Sequence, residues 1–400
     1  MMLALLLALG TTIVVDPSGP VRTLTAALAL ARPGDRIEVQ RGTYREPMIV
    51  VGVRVEITGK GGPVFEGAAH STFEVTADGV VIRGLVFQHV LPSATEDRAA
   101  ILLRGVRGCR IEDNEIRGAY FGIYAMRSTN CVIAGNRLRG PRGTGSTSGN
   151  GIHVWQSSGM IVRDNTVMGH RDGIYFEFVR AAEVADNFVV ENSRYGLHFM
   201  RSDSCSYAGN RFERNGAGVA VMYSTGVVMT GNRFERNRGG SAYGLLLKDI
   251  SDAAVRRNRF SGNTVGLYLE DSNRNLVEGN TFLGNGWAVK VLANASDNRF
   301  TGNLFEGNSF DASTNSRTAS SSFDRNWWDR YRGYDLDRDG LGDVPHNPVR
   351  LFSLVAEQHK PALILLRSPF VDLLDAAERL MPMLTPEALA DRHPLMRRPR

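Results

Sequence analysis

Apolar and polar residues alternate along this chain in runs of three to five, separated by Gly and Asn, and the runs return about every 22 residues. In Gly218-Val-Ala-Val-Met222, Val219 and Val221 face one way and Ala220 and Met222 the other. Period two is the mark of a strand, and no unit sustains the i, i+3, i+4 spacing of an amphipathic helix. So short a run cannot bury its face alone, so it must stack on the matching run of the next unit. Three columns of residues keep the period in phase. The first holds Asn114, Asn136, Asn165, Asn187, Asn210, Asn232, Asn258, Asn280, Asn303 and Asn326; eight of its nine intervals are 22, 23 or 26 residues and the other is 29. The second, five residues later, holds Asn192, Asn215, Asn237, Asn263, Asn285 and Asn308. The third is Gly followed by an aliphatic residue, from Gly122-Ile123 to Gly266-Leu267. The heptapeptide GNRFERN recurs whole at 209–215 and 231–237.

These columns predict an all-β fold, a right-handed parallel β-helix with one coil per 22–23 residues and coils about 4.8 Å apart. The Asn residues are expected to take the left-handed backbone of tight corners and to bond amide to amide up the stack. The long interval places an exposed loop at 139–150. Residues 22–31 predict a helix within an N-terminal cap, 11–35, that covers the open end of a β-helix spanning 36–326. The period ends at Trp327, and 327–400 reads as an extension for partner docking: an Asp-rich loop, a helix opened by Ser368-Pro369, and a basic tail. The first ten residues, MMLALLLALG, read as a signal segment without the usual basic start. No other run approaches the ~18–20 apolar residues of a membrane span, so a periplasmic or other extracytoplasmic location is expected.

Composition narrows the function. A net charge of +5, with Arg scattered beside Asp and Glu, lacks the basic stripe of a nucleic-acid surface. Cys109, Cys131 and Cys205 share one column, each five residues before a ladder Asn. That column points inward, which predicts buried thiols; a Cys109–Cys131 disulfide on adjacent coils is the alternative. Two outward columns lie two and four residues after each Gly: Tyr124, His153, Tyr175, His198, Ala220, Leu246, Tyr268, and then Met126, Trp155, Glu177, Met200, Met222, Lys248, Glu270. A glycan-cleaving site needs converging carboxylates. Only Glu177 and Glu270 appear, about 19 Å apart by coil spacing, so no catalytic residue is assigned and the chain does not read as an enzyme. Trp155 and the tyrosines keep an extracytoplasmic polysaccharide-binding or polysaccharide-degrading β-helix as the alternative. His198, Met200, Met222, His153 and Met126 form a stripe of imidazole and thioether, the soft donors that suit Cu(I); packing beneath a cover is the competing explanation. Asp335, Asp337, Asp339 and Asp343, with Gly340 between, match the front of a Ca2+ loop, although His346 stands where the bidentate Glu belongs. An Asp-rich turn whose carboxylates accept backbone N–H groups is the alternative.

The stretch NWWDRYRGYDLDRDGLGDVPH from Asn326, followed by SPFVDLLDAAER and the late DRHPLM, resembles the NosD family, and the likeness extends through the coils to the Pro-Gly-Asp turn at 33–35. The C-terminal run is the discriminating part. The resemblance implies an exported, non-catalytic β-helical accessory protein for maturation of nitrous oxide reductase. Its implied partners are an inner-membrane ABC permease and its ATPase, a copper chaperone lipoprotein and the apo reductase; its implied cargo is copper, sulfur or both. No G-x-x-x-x-G-K-[ST] is present, so ATP chemistry belongs to a partner. Trp327, Trp328, Tyr334, Leu395 and Met396 are the docking candidates in the extension. The resemblance transfers no copper ligand. The chain departs from the family at its N-terminus, which lacks basic residues, and at His346, where an aromatic residue is expected.

Overall fold

The computed structural model describes residues 10–67, 69–93, 95–141, 149–316, 320–366, 368–381 and 389–399. The signal segment therefore lies outside the described residues apart from Gly10, as does the predicted loop over 142–148. The chain forms two compact units, the first ending at Ser193 and the second starting at Arg194. Within each, a coil gives one strand to each of three parallel sheets, here A, B and C. In the first unit Arg110–Glu112, Glu115–Arg117 and Phe121–Met126 form one such coil; in the second, Ser206–Ala208, Arg211–Glu213 and Ala217–Met222 form another. Pairing is parallel and follows the repeat, with Ile111 opposite Ile133, Ile116 opposite Leu138, and Phe212 opposite Phe234. The parallel β-helix read from the columns is the fold.

The inward column is apolar throughout: Ile123, Ala125, Ile152 and Val154 in one unit, Val219, Val221, Leu245 and Leu247 in the other, are all buried. In the second unit Phe212, Phe234, Phe260, Phe282 and Phe305 stack ring over ring at 5.6, 4.6, 4.8 and 4.9 Å, and Trp328 closes the pile at 4.1 Å. A register of one coil brings identical residues to the sheet spacing, which places planar rings within stacking reach.

The ladders differ from expectation in one respect. The left-handed corner is made by the residue before each Asn: Asp113, Gly135, Asp164 and Asp186 in the first unit, Gly209, Gly231, Arg257, Gly279, Gly302 and Arg325 in the second. The Asn that follows turns inward, and its amide serves two coils. Asn210 Nδ2 and backbone N–H both donate to Asn232 Oδ1 at 3.0 Å, and the pattern repeats through Asn258, Asn280, Asn303 and Asn326. Asn is therefore selected for its paired donor and acceptor in a buried corner rather than for its backbone.

Coils also begin earlier than 36. Thr12–Val15 pairs in parallel with Arg36–Val39, and the predicted helix, Leu24–Leu30, is an insertion after this first strand. Thr23 caps it by accepting from Ala26 N at 3.2 Å, and Leu24 and Ala27 bury its inner side. At the other end the extension is more helical than the sequence suggests, with Leu351–Gln358, a 3-10 turn at Lys360–Leu365 and Pro369–Leu380. Phe352, Ala356 and Val371 pack with Phe310 on sheet C, and Lys290 meets Glu357 at 2.5 Å. The final segment is not a free tail. Asp391 is buried and accepts from Asn326 N, Asn326 Nδ2 and Trp328 Nε1, each at 3.0 Å, which makes it the last rung of the Asn ladder.

Candidate functional site

The outer face of sheet C carries the predicted copper ligands. In the first unit Tyr124, His153 and Tyr175 align across three strands, and Met126, Trp155 and Glu177 align beside them. The His153 ring stacks on Tyr124 at 4.5 Å and meets Tyr175 edge-on at 4.8 Å. Its Nδ1 lies 3.5 Å from Asn150 Nδ2, and its buried Nε2 has no hydrogen-bond partner among the described residues. Burial pushes the imidazole down to about 4, against the opposing pull of Asp172, so the ring is neutral at pH 7. A neutral imidazole with an unused lone pair is a competent metal donor. Met126 sits diagonally from it, beside Trp155, and its sulfur accepts from Arg104 Nη1 at 3.4 Å.

In the second unit Tyr195–Met200 aligns with Ala217–Met222, which sets Met200 directly against Met222 and His198 against Ala220. Both thioethers are half-buried. His198 is only 2% exposed, with its ring 4.8 Å from that of Tyr195. Tyr195, Ala217, Ala220 and Leu246 form an apolar cluster on this outer face, flanked by Met222, Tyr243 and Tyr268. So packing and ligand display coexist: His198 lies beneath Tyr195, whereas the Met pair reaches solvent. The next two coils end the stripe with a Lys248–Glu270 ion pair at 2.8 Å, which also occupies one of the two outward carboxylates. Among the described residues no His joins a group of three His, Cys, Asp or Glu side chains close enough to share an ion. A copper site here therefore depends on thioether sulfur.

The group of three that does gather among the described residues is Asp335, Asp337 and Asp339, whose oxygens lie within 4.8 Å of one another. Each also serves the turn: Asp335 Oδ2 accepts from Gly340 N at 3.0 Å, Asp337 Oδ1 from Asp339 N at 3.3 Å, and Asp339 Oδ1 from Leu341 N at 2.7 Å. Asp343 does not join them; its carboxylate accepts Leu336 N at 2.7 Å. The trio offers the hard oxygens that Ca2+ takes, with the turn's own hydrogen bonds using half of them. His346 bridges backbone to backbone with Asp391 and packs its ring 4.9 Å from Trp328, filling the place of the expected aromatic residue. Its burial pushes it down to about 4.

The docking candidates divide. Trp328 is inside, stacked on Phe305, so it is removed from any docking surface. Trp327 is half-buried under Arg398, whose guanidinium lies 5.8 Å from the ring. Leu395 and Met396 are half-buried and tied by backbone bonds to Asn326 and Gly340. Tyr334 remains exposed. The larger apolar surface is on the helices, where Ile364 is 88% exposed, Leu373 69%, Met381 60% and Phe370 55%. Sequence reading missed the first helix and the 3-10 turn, although LFSLVAEQ followed by PALILL was the available signal. It also missed His170, which stands 22 residues before Asn192 in the second ladder column. That imidazole is fully buried, both ring nitrogens lack partners among the described residues, and burial pushes it down to about 3. The three cysteines are buried and free, and Cys109 N donates to Cys131 Sγ at 3.3 Å. No helix among the described residues is long and apolar enough to cross a membrane.

Comparison with known proteins agrees with this architecture. The family model described as "Periplasmic copper-binding protein (NosD)" matches residues 139–333. A Pseudomonas aeruginosa protein named "Probable ABC transporter binding protein NosD" is 30% identical over 390 residues, covering 84% of this chain and 83% of that protein. A protein of the same name from Stutzerimonas stutzeri is 30% identical over 360 residues, covering 82% and 79%. Among solved structures, the A-module of the Azotobacter vinelandii mannuronan C-5 epimerase AlgE6 superposes with a TM-score of 0.53 at 14% identity, covering 75% of this chain and 87% of the module. That likeness is one of fold alone. The coils, the C-terminal run and the 30% identity to two relatives over most of both chains together show that this chain belongs to the NosD family.

Proposed function

We propose that this protein is a periplasmic accessory factor that works with an ABC permease and its ATPase to supply copper, alone or with sulfur, for the copper centre of nitrous oxide reductase. It performs no catalysis itself. The observation that carries this reading is the Met200–Met222 pair, two thioethers in register on adjacent coils with His198 two residues away on the same face. Two sulfurs and one imidazole favour Cu(I) over harder cations. A site of two thioethers and one imidazole suits a metal that is received from a chaperone lipoprotein and passed to the apo reductase. Tyr195 over His198 keeps the imidazole out of water, so its engagement requires that ring to move aside. Titration with Cu(I) against a competing chelator tests the reading. Replacing Met200 and Met222 by Leu and His198 by Gln is expected to weaken Cu(I) at least about tenfold; unchanged affinity would sink it.

The transporter contact is assigned to the helices of the extension. Phe370 and Leu373 present apolar side chains to water, each worth roughly 1.5–3 kcal/mol when covered. The double variant Phe370→Asp, Leu373→Asp is expected to abolish co-purification with the permease while leaving the melting temperature within about 2 °C. Retained co-purification would move the contact elsewhere.

A further inference from the structure

Sheet B of the second unit bears a cavity of about 750 Å3 on its outer face, between the corners that precede Asn280 and Asn303 and the final residues of the described chain. Arg257, Arg259 and Arg398 line it together with Thr281 and Leu304, and no carboxylate does. Arg259 stands in register with Arg233, so the strip continues as guanidinium on the neighbouring coil. Arg256, the chain neighbour of Arg257, is neutralised by Glu278 at 3.1 Å. Arg257 and Arg259 form no such pair among the described residues. Arg398 is held across the cavity by Glu306 at 2.6 Å and by the Trp327 ring.

The backbone at Arg257 is the second observation. Its φ is +52°, in the corner column that the second unit fills with Gly209, Gly231, Gly279 and Gly302 on four other coils and with Arg325 on a fifth. An L side chain there costs about 1–2 kcal/mol, a cost that Arg257 shares with Arg325 and that glycine avoids. The two glycines that follow, Gly279 and Gly302, clear the cavity floor: a Cβ at Gly302 would meet nothing closer than 4.0 Å, and at Gly279 its nearest neighbour is Arg257 Cγ at 3.7 Å. Arg257 over a glycine floor, with Arg259 on the same cavity, places two guanidinium groups without a carboxylate partner there, while Arg398 is already met by Glu306.

We propose that this cavity binds a multiply charged oxyanion, of the phosphate or polycarboxylate class, through Arg257, Arg259 and Arg398 with the Thr281 hydroxyl as a further donor. Guanidinium forks match such oxygens bidentately; Arg257 and Arg259 bring two positive charges without a carboxylate partner, and Arg398 would share its fork between the ligand and Glu306.

Calorimetric titration of the full chain at low ionic strength with inorganic pyrophosphate and, separately, with a tricarboxylate tests the assignment. Binding of either supports it, and the one that binds identifies the class; binding of neither overturns it. Arg257→Gly is the decisive variant, because glycine takes this positive-φ corner without strain. It is expected to keep or raise the melting temperature while weakening the anion roughly tenfold or more. Arg398→Gln should weaken it similarly. Undiminished binding by both variants would overturn the proposal, whatever their stability.

Discussion

Asp391→Ala is expected to lower the unfolding free energy by about 3–5 kcal/mol, the loss falling on the C-terminal coils. Asn326 N–H, Asn326 Nδ2 and the Trp328 indole N–H all converge on one carboxylate oxygen at 3.0 Å, and the site is fully buried. Alanine would leave three donors without an acceptor in a place that water does not reach. Asp391→Asn is expected to cost about 1–2 kcal/mol, less than alanine, since its carbonyl accepts the three bonds as elsewhere in the ladder while its Nδ2 replaces the Oδ1 that accepts from His393 N at 3.2 Å. Burial also raises the Asp391 pKa despite those donors, so the ionised form is not favoured by its surroundings. Urea unfolding read by hydrogen exchange over residues 320–350 measures both variants. Equal midpoints for Ala and Asn would show that Asp391 merely fills space.

Much of this architecture was legible because a solenoid writes each contact once per coil. Phe212 and Phe234 announce their stacking by standing 22 residues apart, and the Met200–Met222 register follows from the same interval. What occurs once escapes such reading. Asp391 lies 65 residues beyond Asn326, in sequence without period, so nothing marked it as a rung. The strand Thr12–Val15 was hidden because the helix Leu24–Leu30 interrupts the first coil and breaks the spacing. The Asn corners were misassigned by one residue because propensity links Asn to positive φ, whereas burial at that position demands its amide. At the candidate site, the direction of each side chain was readable from period two but its depth was not. His198 and Ala220 point outward and are nonetheless covered, since Tyr195 folds across them from the start of the strand. Trp328, grouped with Trp327 as a docking residue, faces inward for the same reason of alternation: the two are neighbours on one strand and so lie on opposite sides.

The ladder through Asn326 and the ladder through Asn308 each end on a carboxylate, and the second ending leads to the larger pH effect. The ladder Asn215, Asn237, Asn263, Asn285, Asn308 passes its donors forward coil by coil, and Asn308 Nδ2 then donates to Asp311 Oδ1 at 3.2 Å. A last rung needs an acceptor oxygen, which a carboxylate supplies without adding a donor of its own. The cost is buried charge. Asp311 is 3% exposed in the strand Phe310–Ser313, and burial pushes its pKa up to about 6, with Arg330 pulling the other way. Because the folded pKa exceeds the unfolded value of 3.8, the folded state holds the proton more tightly. The stability this contributes is complete below pH 3.8 and is lost as pH rises through about 6. The shift corresponds to roughly 2–4 kcal/mol. Asp311→Asn keeps an acceptor for Asn308 and cannot ionise. The variant is therefore expected to exceed the parent protein in stability by roughly 2–3 kcal/mol at pH 8 and to lose that advantage near pH 4. Urea midpoints for both proteins across this range give the difference directly, with other titrating groups cancelling between them. A variant less stable by the same amount at both ends would mean that the Asp311 carboxylate is matched by its surroundings, and that the ladder ends without electrostatic strain.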